Sequence, residues 1–122
     1  MIEIIREDFS VDEITKKMKD PKVGAISIYL GTVREFPSGN GLEFEDDNRA
    51  VRKLEEIEKR AIDKFDVRDV AIVHRVGFLG ISENIVLVAV SASHREPAFD
   101  ACRSIINDIK DFHKSWGKEV PK

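Results

Sequence analysis

The stretch Ile85-Val-Leu-Val-Ala-Val-Ser-Ala-Ser-His94-Arg95-Glu-Pro97-Ala-Phe99 decides the fold. Its first part, Ile85 to Ser93, is dominated by β-branched and apolar residues and predicts a buried strand. Pro97 then fits the first turn of a helix, where its missing N–H leaves no hydrogen bond unmade. An apolar stripe at helical spacing follows: Ala98, Ala101, Cys102, Ile105, Ile106, Ile109 and Phe112. The sequence therefore predicts a strand that leads directly into a helix, with His94 and Arg95 at the junction.

Two further helices are predicted from capping and periodicity. Ser10 and Glu13 have capping-box spacing at the start of a first helix, which ends before Asp20-Pro21 because the residue before proline disfavours the α conformation. From about Asp47 to Phe65 an apolar stripe faces a charged surface, which predicts a second helix. That stripe consists of Val51, Leu54, Ile57, Ala61 and Phe65.

Strands are predicted around these helices. Their ranges are Met1–Ile5, Val23–Arg34, Leu42–Glu45 and Val70–Val76. The breakers in Phe36–Gly41 predict a loop, and Gly77–Glu83 is expected to be a turn. The segment His113–Lys122 is expected to be a polar tail anchored by Trp116. Because strands and helices mix without strict alternation, residues 1–122 are predicted to form one α+β domain with a mostly antiparallel sheet and helices packed on it.

Composition limits the functions that are possible. The chain has 122 residues, 20 basic and 23 acidic, and a net charge of −3, which argues against bulk nucleic-acid binding. The single Cys102 suits a reducing cytosol. No apolar run approaches the roughly 18 residues of a membrane span, and the first residues lack the features of a secretory signal. A cytoplasmic protein without a membrane or nucleic-acid partner is expected.

Several cations occupy positions suited to an anion. His94 and Arg95 stand at a helix start, where free N–H groups and the helix dipole favour negative charge. Arg34 ends another apolar strand just before a Gly/Pro loop, and Gly31 within that strand suggests a bulge. Lys110 and Lys118, taken alone, have the spacing of ordinary lysines that complement a helix C-terminus.

Other chemically capable residues have simpler interpretations. His74-Arg75 ends a strand before a glycine-rich segment and is expected to serve a turn or packing role. Cys102 lies on an apolar stripe and is expected in the core. His113 has no metal-ligand spacing around it, and neither a P-loop nor a dinucleotide-binding glycine motif occurs. The sequence therefore predicts no metal and no cofactor.

Distance separates the two groups of cations. In a straight helix, Arg95 and Lys110 stand roughly 20 Å apart at 1.5 Å per residue. One small ligand does not span that length. Either the two ends are separate features, or two copies of the chain build one pocket at a two-fold interface.

A set of short motifs follows in a fixed order along the chain: Gly31-Thr-Val-Arg34, Leu42-Glu-Phe-Glu45, Val73-His-Arg-Val-Gly77, Ser91-Ala-Ser-His-Arg95, Lys110 and Trp116-Gly-Lys-Glu119. In this set the chain resembles the large, catalytic subunit of molybdopterin synthase. The resemblance implies a hammerhead-like α+β fold and a homodimer at the centre of a heterotetramer. It also implies a ubiquitin-like sulfur-carrier partner, whose C-terminal thiocarboxylate supplies sulfur to cyclic pyranopterin monophosphate to form the dithiolene of molybdopterin.

Site roles follow from the same resemblance, position by position. It implies catalytic roles for Lys110 and Lys118 in a sulfurtransferase, without a metal. It implies that His94 and Arg95, from the second copy, hold the pterin phosphate. The other substrate-binding positions that it implies are Thr32, Val33, Arg34, Gly117 and Glu119, together with Lys110 and Lys118.

The chain departs from the family pattern in its last residues. Family members carry lysine directly after the tryptophan, where this chain has Gly117, and the lysine follows one step later as Lys118. After the Leu42-Glu-Phe-Glu45 motif, where family members usually have aromatic residues, this chain has Asp46-Asp47. The longer basic tail that is common in the family is absent after Glu119. Two alternatives therefore stay open: a non-catalytic paralogue that binds the carrier protein, or a phosphometabolite-binding regulatory domain.

Overall fold

The computed structural model describes all residues from Met1 to Lys122. The elements are, in chain order, β1 (Ile2–Ile5), α1 (Val11–Met18), β2 (Ala25–Thr32), β3 (Gly39–Phe44), α2 (Asn48–Lys64), β4 (Asp69–Arg75), β5 (Gly77–Gly80), β6 (Asn84–Ala92), α3 (Arg95–Trp116) and β7 (Gly117–Pro121). The predicted α+β class is confirmed. No helix combines the length and apolar character that a bilayer crossing requires.

Two sheets form the β structure. The larger sheet has the strand order β1-β4-β6-β2, in which β1 and β4 run parallel while β4, β6 and β2 pair antiparallel. The smaller sheet has the order β5-β3-β7 and is antiparallel throughout. The predicted predominance of antiparallel pairing is therefore confirmed, with the β1–β4 pair as the exception.

Strand β6 is buried on both faces, which explains its unbroken run of apolar residues. Val86, Val88 and Val90 belong to the main core, which lies against α2 and α3. Leu87 and Ala89 point to the opposite face, where Met18 of α1 completes a smaller core. The alternation of side chains along a strand thus gives one central strand two cores.

Helix starts follow the expected capping chemistry. The Ser10 hydroxyl accepts a hydrogen bond from the Glu13 N–H at 3.2 Å, and the Asp47 carboxylate accepts one from the Arg49 N–H at 2.9 Å. On α2 the buried stripe is Ala50, Leu54, Ile57 and Ala61. The predicted inclusion of Val51 is wrong, because the helix is rotated so that Ala50 faces the core and Val51 is exposed.

Three predictions about the smaller sheet are wrong. The expected turn at Gly77–Glu83 begins with strand β5, the expected loop Phe36–Gly41 contains the first residues of β3, and the expected polar tail is the end of α3 followed by β7. These strands are short and rich in glycine, so they carry little local strand preference. Their hydrogen bonds come from partners far away in sequence, and short-range patterns do not report such pairing.

Replacing Gly41 by alanine is expected to destabilise the smaller sheet. A Cβ there would lie 2.2 Å from the Leu79 carbonyl oxygen, and backbone does not yield as a flexible side chain does. We expect the free energy of unfolding to fall by about 1–3 kcal/mol in urea titrations. Gly80→Ala is the control, because its Cβ would meet side chains and no backbone: the Glu83 carboxylate at 3.3 Å and the Phe78 ring at 3.8 Å. Equal losses in the two variants would contradict the close approach at Gly41.

Candidate active site

A cavity of about 370 Å³ lies where α3, the end of β2 and the smaller sheet meet. This volume is at the small end of the range for ligand pockets, which are mostly apolar with a few polar groups. Its apolar lining includes Leu42, Ile85, Val86, Val88, Ile106 and Ile109, and its polar lining includes Thr32, Arg34, Lys110, His113 and Glu119.

The end of β2 shapes one wall of the cavity. The register with β6 shifts between Gly31 and Thr32, which is the irregularity that glycine suggested. A Cβ on Gly31 would approach the Tyr29 hydroxyl and ring at 3.2 Å, so the tyrosine lies close over this backbone. Val33 is buried, and its N–H donates to the Glu83 carbonyl at 3.0 Å, which fixes the segment that carries Arg34.

One face of α3 forms the opposite wall. Ile106, Ile109, Lys110 and His113 all line the cavity, at the spacing that places side chains on one side of a helix. Ile109 is buried and fixes the rotation of the helix, whereas Lys110 is exposed at the cavity. The packing of α3 therefore aims a lysine at the pocket.

The cavity contains two cations that make no ion pair. Neither Arg34 nor Lys110 lies within 4.0 Å of a carboxylate, although many other basic side chains do. The Lys110 Nζ lies 6.0 Å from the centre of the Tyr29 ring, at the limit of a cation–π contact. Glu119 is the one carboxylate of the lining. An anionic ligand is the natural counterpart for this charge balance.

Strand β7 brings only one of its three predicted residues to the cavity. Glu119 lines it, whereas Gly117 and Lys118 do not. Side chains alternate along a strand, so Lys118 faces away from Glu119, and its Nζ lies 3.7 Å from the Glu45 carboxylate. A Cβ on Gly117 would meet the Phe44 ring at 2.7 Å, so this backbone position has no room for a lysine unless Phe44 moves.

His94 and Arg95 lie at the far end of α3. His94 is the N-cap residue without a side-chain capping bond, and Arg95 is exposed with its Nε 3.9 Å from the Glu96 carboxylate. Arg95 and Lys110 belong to one continuous helix, so they stand about 22 Å apart at 1.5 Å per residue. Within one chain these two groups do not reach the same small ligand.

A pair of histidines lies at the cavity wall: His113 lines the cavity, and His74 lies behind it. His74 is fully buried on β4, and its Nε2 lies 2.8 Å from Nε2 of His113 on α3. Burial lowers the pKa of His74 to about 3, with a further contribution from His113. Burial also lowers the pKa of His113 to about 4, and the Lys110 cation adds to this effect. Both rings are therefore neutral near pH 7.

Sequence reasoning did not identify Tyr29 and His113 as lining residues. Tyr29 lies on the predicted strand, and its side chain lines the cavity close to Gly31. His113 lies in the segment predicted to be a polar tail, whereas in the structure it occupies the last turns of α3. The expectation for His74-Arg75 agrees with the structure: the Arg75 guanidinium donates to the Arg6 carbonyl at 3.0 Å and to the Glu83 carboxylate at 3.2 Å, which are packing contacts. No cluster of three or more metal-ligating side chains is present.

The chain is similar to known proteins in both sequence and structure. The family model of the MoaE protein matches residues 4–112. A molybdopterin synthase catalytic subunit of Pyrococcus abyssi is 38% identical over 118 residues, covering 93% of this chain and 80% of that protein. The crystal structure of molybdopterin synthase from Staphylococcus aureus superposes with a TM-score of 0.86 at 31% identity, covering 98% of this chain and 90% of that one.

A more distant structure shares the fold. It is described as a protein–protein complex of subunits 1 and 2 of molybdopterin-converting factor from Helicobacter pylori. Its TM-score is 0.72 at 22% identity, and the match covers 89% of this chain and 77% of that one.

The histidine pair predicts a loss of stability in acid. Both pKa values lie below 6.5 in the folded chain, so the unfolded chain binds more protons once the pH falls below about 6.5. The free energy of unfolding should therefore decrease as the pH falls from 6.5 towards 4. In urea titrations across this range, His113→Gln should have a shallower dependence, because its amide can donate to His74 but does not titrate. The exposed His94→Gln is the control, and an unchanged slope in His113→Gln would contradict the assignment.

Proposed function

Since the chain belongs to the MoaE protein family, with the catalytic-subunit role in molybdopterin biosynthesis, we propose that it works as a sulfurtransferase. The sulfur donor is the C-terminal thiocarboxylate of a ubiquitin-like carrier protein, and the acceptor is cyclic pyranopterin monophosphate. The observation that carries the proposal is the cavity with two unpaired cations, Arg34 and Lys110, above an apolar floor. A narrow, anionic chain end matches this shape and charge.

Lys110 is the residue we assign to the reaction centre. The thiocarboxylate sulfur bonds to a substrate carbon while the bond from that carbon to oxygen breaks, and the oxygen leaves with its electron pair. Water then adds to the acyl carbon and the sulfur–acyl bond breaks, so that the sulfur stays on the substrate as a thiolate and the carrier is released as a carboxylate. An oxyanion develops on the acyl oxygen in that second step. The Lys110 ammonium can stabilise this charge, or its amine can move a proton. Thr32, Val33, Arg34 and Glu119 line the same space as substrate-binding residues.

The Trp116-Gly117-Lys118 segment binds substrate and supplies no catalytic group to the cavity. Lys118 is turned towards Glu45 and takes no place in the cavity of the isolated chain. We keep Gly117 and Lys118 as substrate contacts outside the cavity, and a catalytic role of Lys118 then requires a shift of β7 on binding. Of the two lysines, Lys110 is the one that lines the cavity.

The pterin phosphate is assigned to His94 and Arg95 of a second copy of the chain. Free N–H groups at the start of α3 and the Arg95 guanidinium suit a phosphate. Because Arg95 and Lys110 of one chain are about 22 Å apart along α3, a shared site needs two chains related by a two-fold axis. We propose a homodimer with one carrier on each copy, a heterotetramer.

The two alternatives are less favoured. A phosphometabolite-binding regulatory domain does not explain family membership over residues 4–112, and a non-catalytic paralogue does not explain why Lys110 stays at the cavity. The cytoplasm remains the proposed compartment, because the one cysteine, Cys102, is a free thiol.

Lys110→Ala should abolish most of the dithiolene product in a reconstitution with thiocarboxylated carrier and cyclic pyranopterin monophosphate. Loss of one oxyanion-stabilising group lowers the rate by roughly 10²–10³-fold. Lys114→Ala is the matched control, since Lys114 lies one turn further on the same helix, pairs with Asp111 at 3.5 Å and does not line the cavity. The assignment fails if wild-type protein forms no dithiolene or if both variants lose activity equally.

Mixed dimers test the shared site. Arg95→Ala and Lys110→Ala chains are each expected to be inactive as homodimers. A heterodimer of the two has one intact site, so we expect roughly half of the wild-type activity per dimer, measured after purification with two different affinity tags. No recovery in verified heterodimers would place the whole site within one chain.

A further inference from the structure

The His74–His113 pair has one consistent hydrogen-bonding arrangement. His74 Nδ1 lies 2.7 Å from the Arg75 carbonyl oxygen, and a carbonyl only accepts, so this nitrogen carries the proton. In a neutral ring the other nitrogen, Nε2, is then an acceptor. His113 Nε2 must therefore donate to it across the 2.8 Å contact. The backbone of β4 thus fixes the tautomer of a side chain on α3.

This arrangement leaves Nδ1 of His113 as a free acceptor. It makes no hydrogen bond to another protein group, and the one buried side-chain polar atom without a partner is Ser91 Oγ. His113 Nδ1 therefore keeps contact with accessible space, and His113 lines the same cavity as Lys110. A lone pair held in place beside an ammonium group is a site for a proton.

The surroundings of His113 determine when that proton can bind. Lys110 lies one turn earlier on α3 and opposes a second positive charge. Phe44 of β3 and Trp116 lie beside the ring, with ring centres 4.9 Å and 6.2 Å from it, and reduce its contact with water. His74 contacts the ring from β4. The other titratable groups that line the cavity with His113 are Lys110 of α3, Tyr29 of β2, Arg34 of the segment after β2, and Glu119 of β7. Cations thus outnumber the one carboxylate around an empty acceptor.

We propose that His113 is a proton-binding residue of this cavity, which takes up one proton when an anionic group binds beside Lys110. The process adds one anion and one proton to the protein and removes nothing. It deepens the proposed function and rests on it only for the identity of the anion, the carboxylate or thiocarboxylate end of the carrier.

Two physical effects couple the anion to the proton. A bound anion offsets the field of Lys110, which is a cause of the lowered pKa of His113, and it attracts the imidazolium directly. Protonation also needs no rearrangement, because His113 Nε2 continues to donate to His74 while Nδ1 gains the hydrogen. The neutral His74 behind it can accept that bond in both states.

The proton has a use in the proposed reaction. An imidazolium beside the acyl carbon donates a hydrogen bond to the developing oxyanion, as Lys110 does, and returns its proton to solvent when the carboxylate product leaves. His113 then touches the reacting group and is a second catalytic residue. If it acts only through Lys110, it is a positioning residue, and its loss would leave proton uptake unchanged.

NMR titration of the histidine ring signals tests the inference directly. The full chain is titrated between pH 4 and pH 8 alone, and again when saturated with carrier protein ending in a carboxylate. We expect the pKa of His113 to rise by one unit or more in the complex, from its value of about 4 in the free chain. Calorimetry at pH 5 in two buffers with different ionisation enthalpies should show net proton uptake.

Variants distinguish proton uptake at His113 from proton uptake at carboxylates, which also titrate in this range. His113→Gln should lose most of the proton uptake while it keeps the donor to His74, and the exposed Lys114→Gln should retain it. Carrier that binds without a change at His113, or equal uptake in wild type and His113→Gln, would overturn the inference. If carrier does not bind, the proposed partner is wrong, and a titration with inorganic phosphate decides: a raised pKa of His113 supports the coupling and an unchanged one overturns it.

Discussion

Burial of the apolar stripe of α3 against β2 and β6 is the constraint on which the site depends. Ala101, Ile105 and Ile109 are fully or almost fully buried, and each large apolar side chain contributes about 1.5–3 kcal/mol. Their spacing leaves the helix one rotation, and that rotation aims Lys110 and His113 at the cavity. At the end of the helix the Trp116 indole donates to the Glu45 carbonyl at 2.9 Å, which fastens the smaller sheet to α3.

Charge placement distinguishes the cavity from the rest of an acidic chain. Most basic side chains near carboxylates are exposed pairs of small energetic value, such as Arg60 with Asp108 at 3.1 Å. Arg34 and Lys110 have no such partner, and the apolar lining between them weakens solvent screening. An incoming anion therefore gains more at this point than at any paired cation, and a neutral His113 leaves room for a proton to accompany it.

Interactions between residues that are neighbours in sequence are sufficient to predict the long helices and the central strand. Capping at Ser10 and Asp47, the stripe of α2 and the β-branched run of β6 each follow from neighbouring residues, and the structure has them within a few residues of the predicted limits. In the smaller sheet the sequence predicts only the strand at Leu42–Glu45. The first residues of β3 and the whole of β5 and β7 escape prediction, because these segments are short and Gly39, Gly41 and Gly77 resemble turn signals. Glycine is needed at Gly41 because the Leu79 backbone approaches it, which is a tertiary reason that no local pattern contains.

The sequence by itself determined the α+β class, the order of the main elements, the family resemblance and the separation of Arg95 from Lys110 along one helix. Those features depend on residues close together in the chain. Only the tertiary structure decided that Thr32, Arg34, Lys110 and Glu119 share one cavity while Lys118 faces Glu45. The pairing of β7 with β3, and the position of α3 across β2 and β6, join residues far apart in sequence, and their alignment is set by packing that no local pattern encodes.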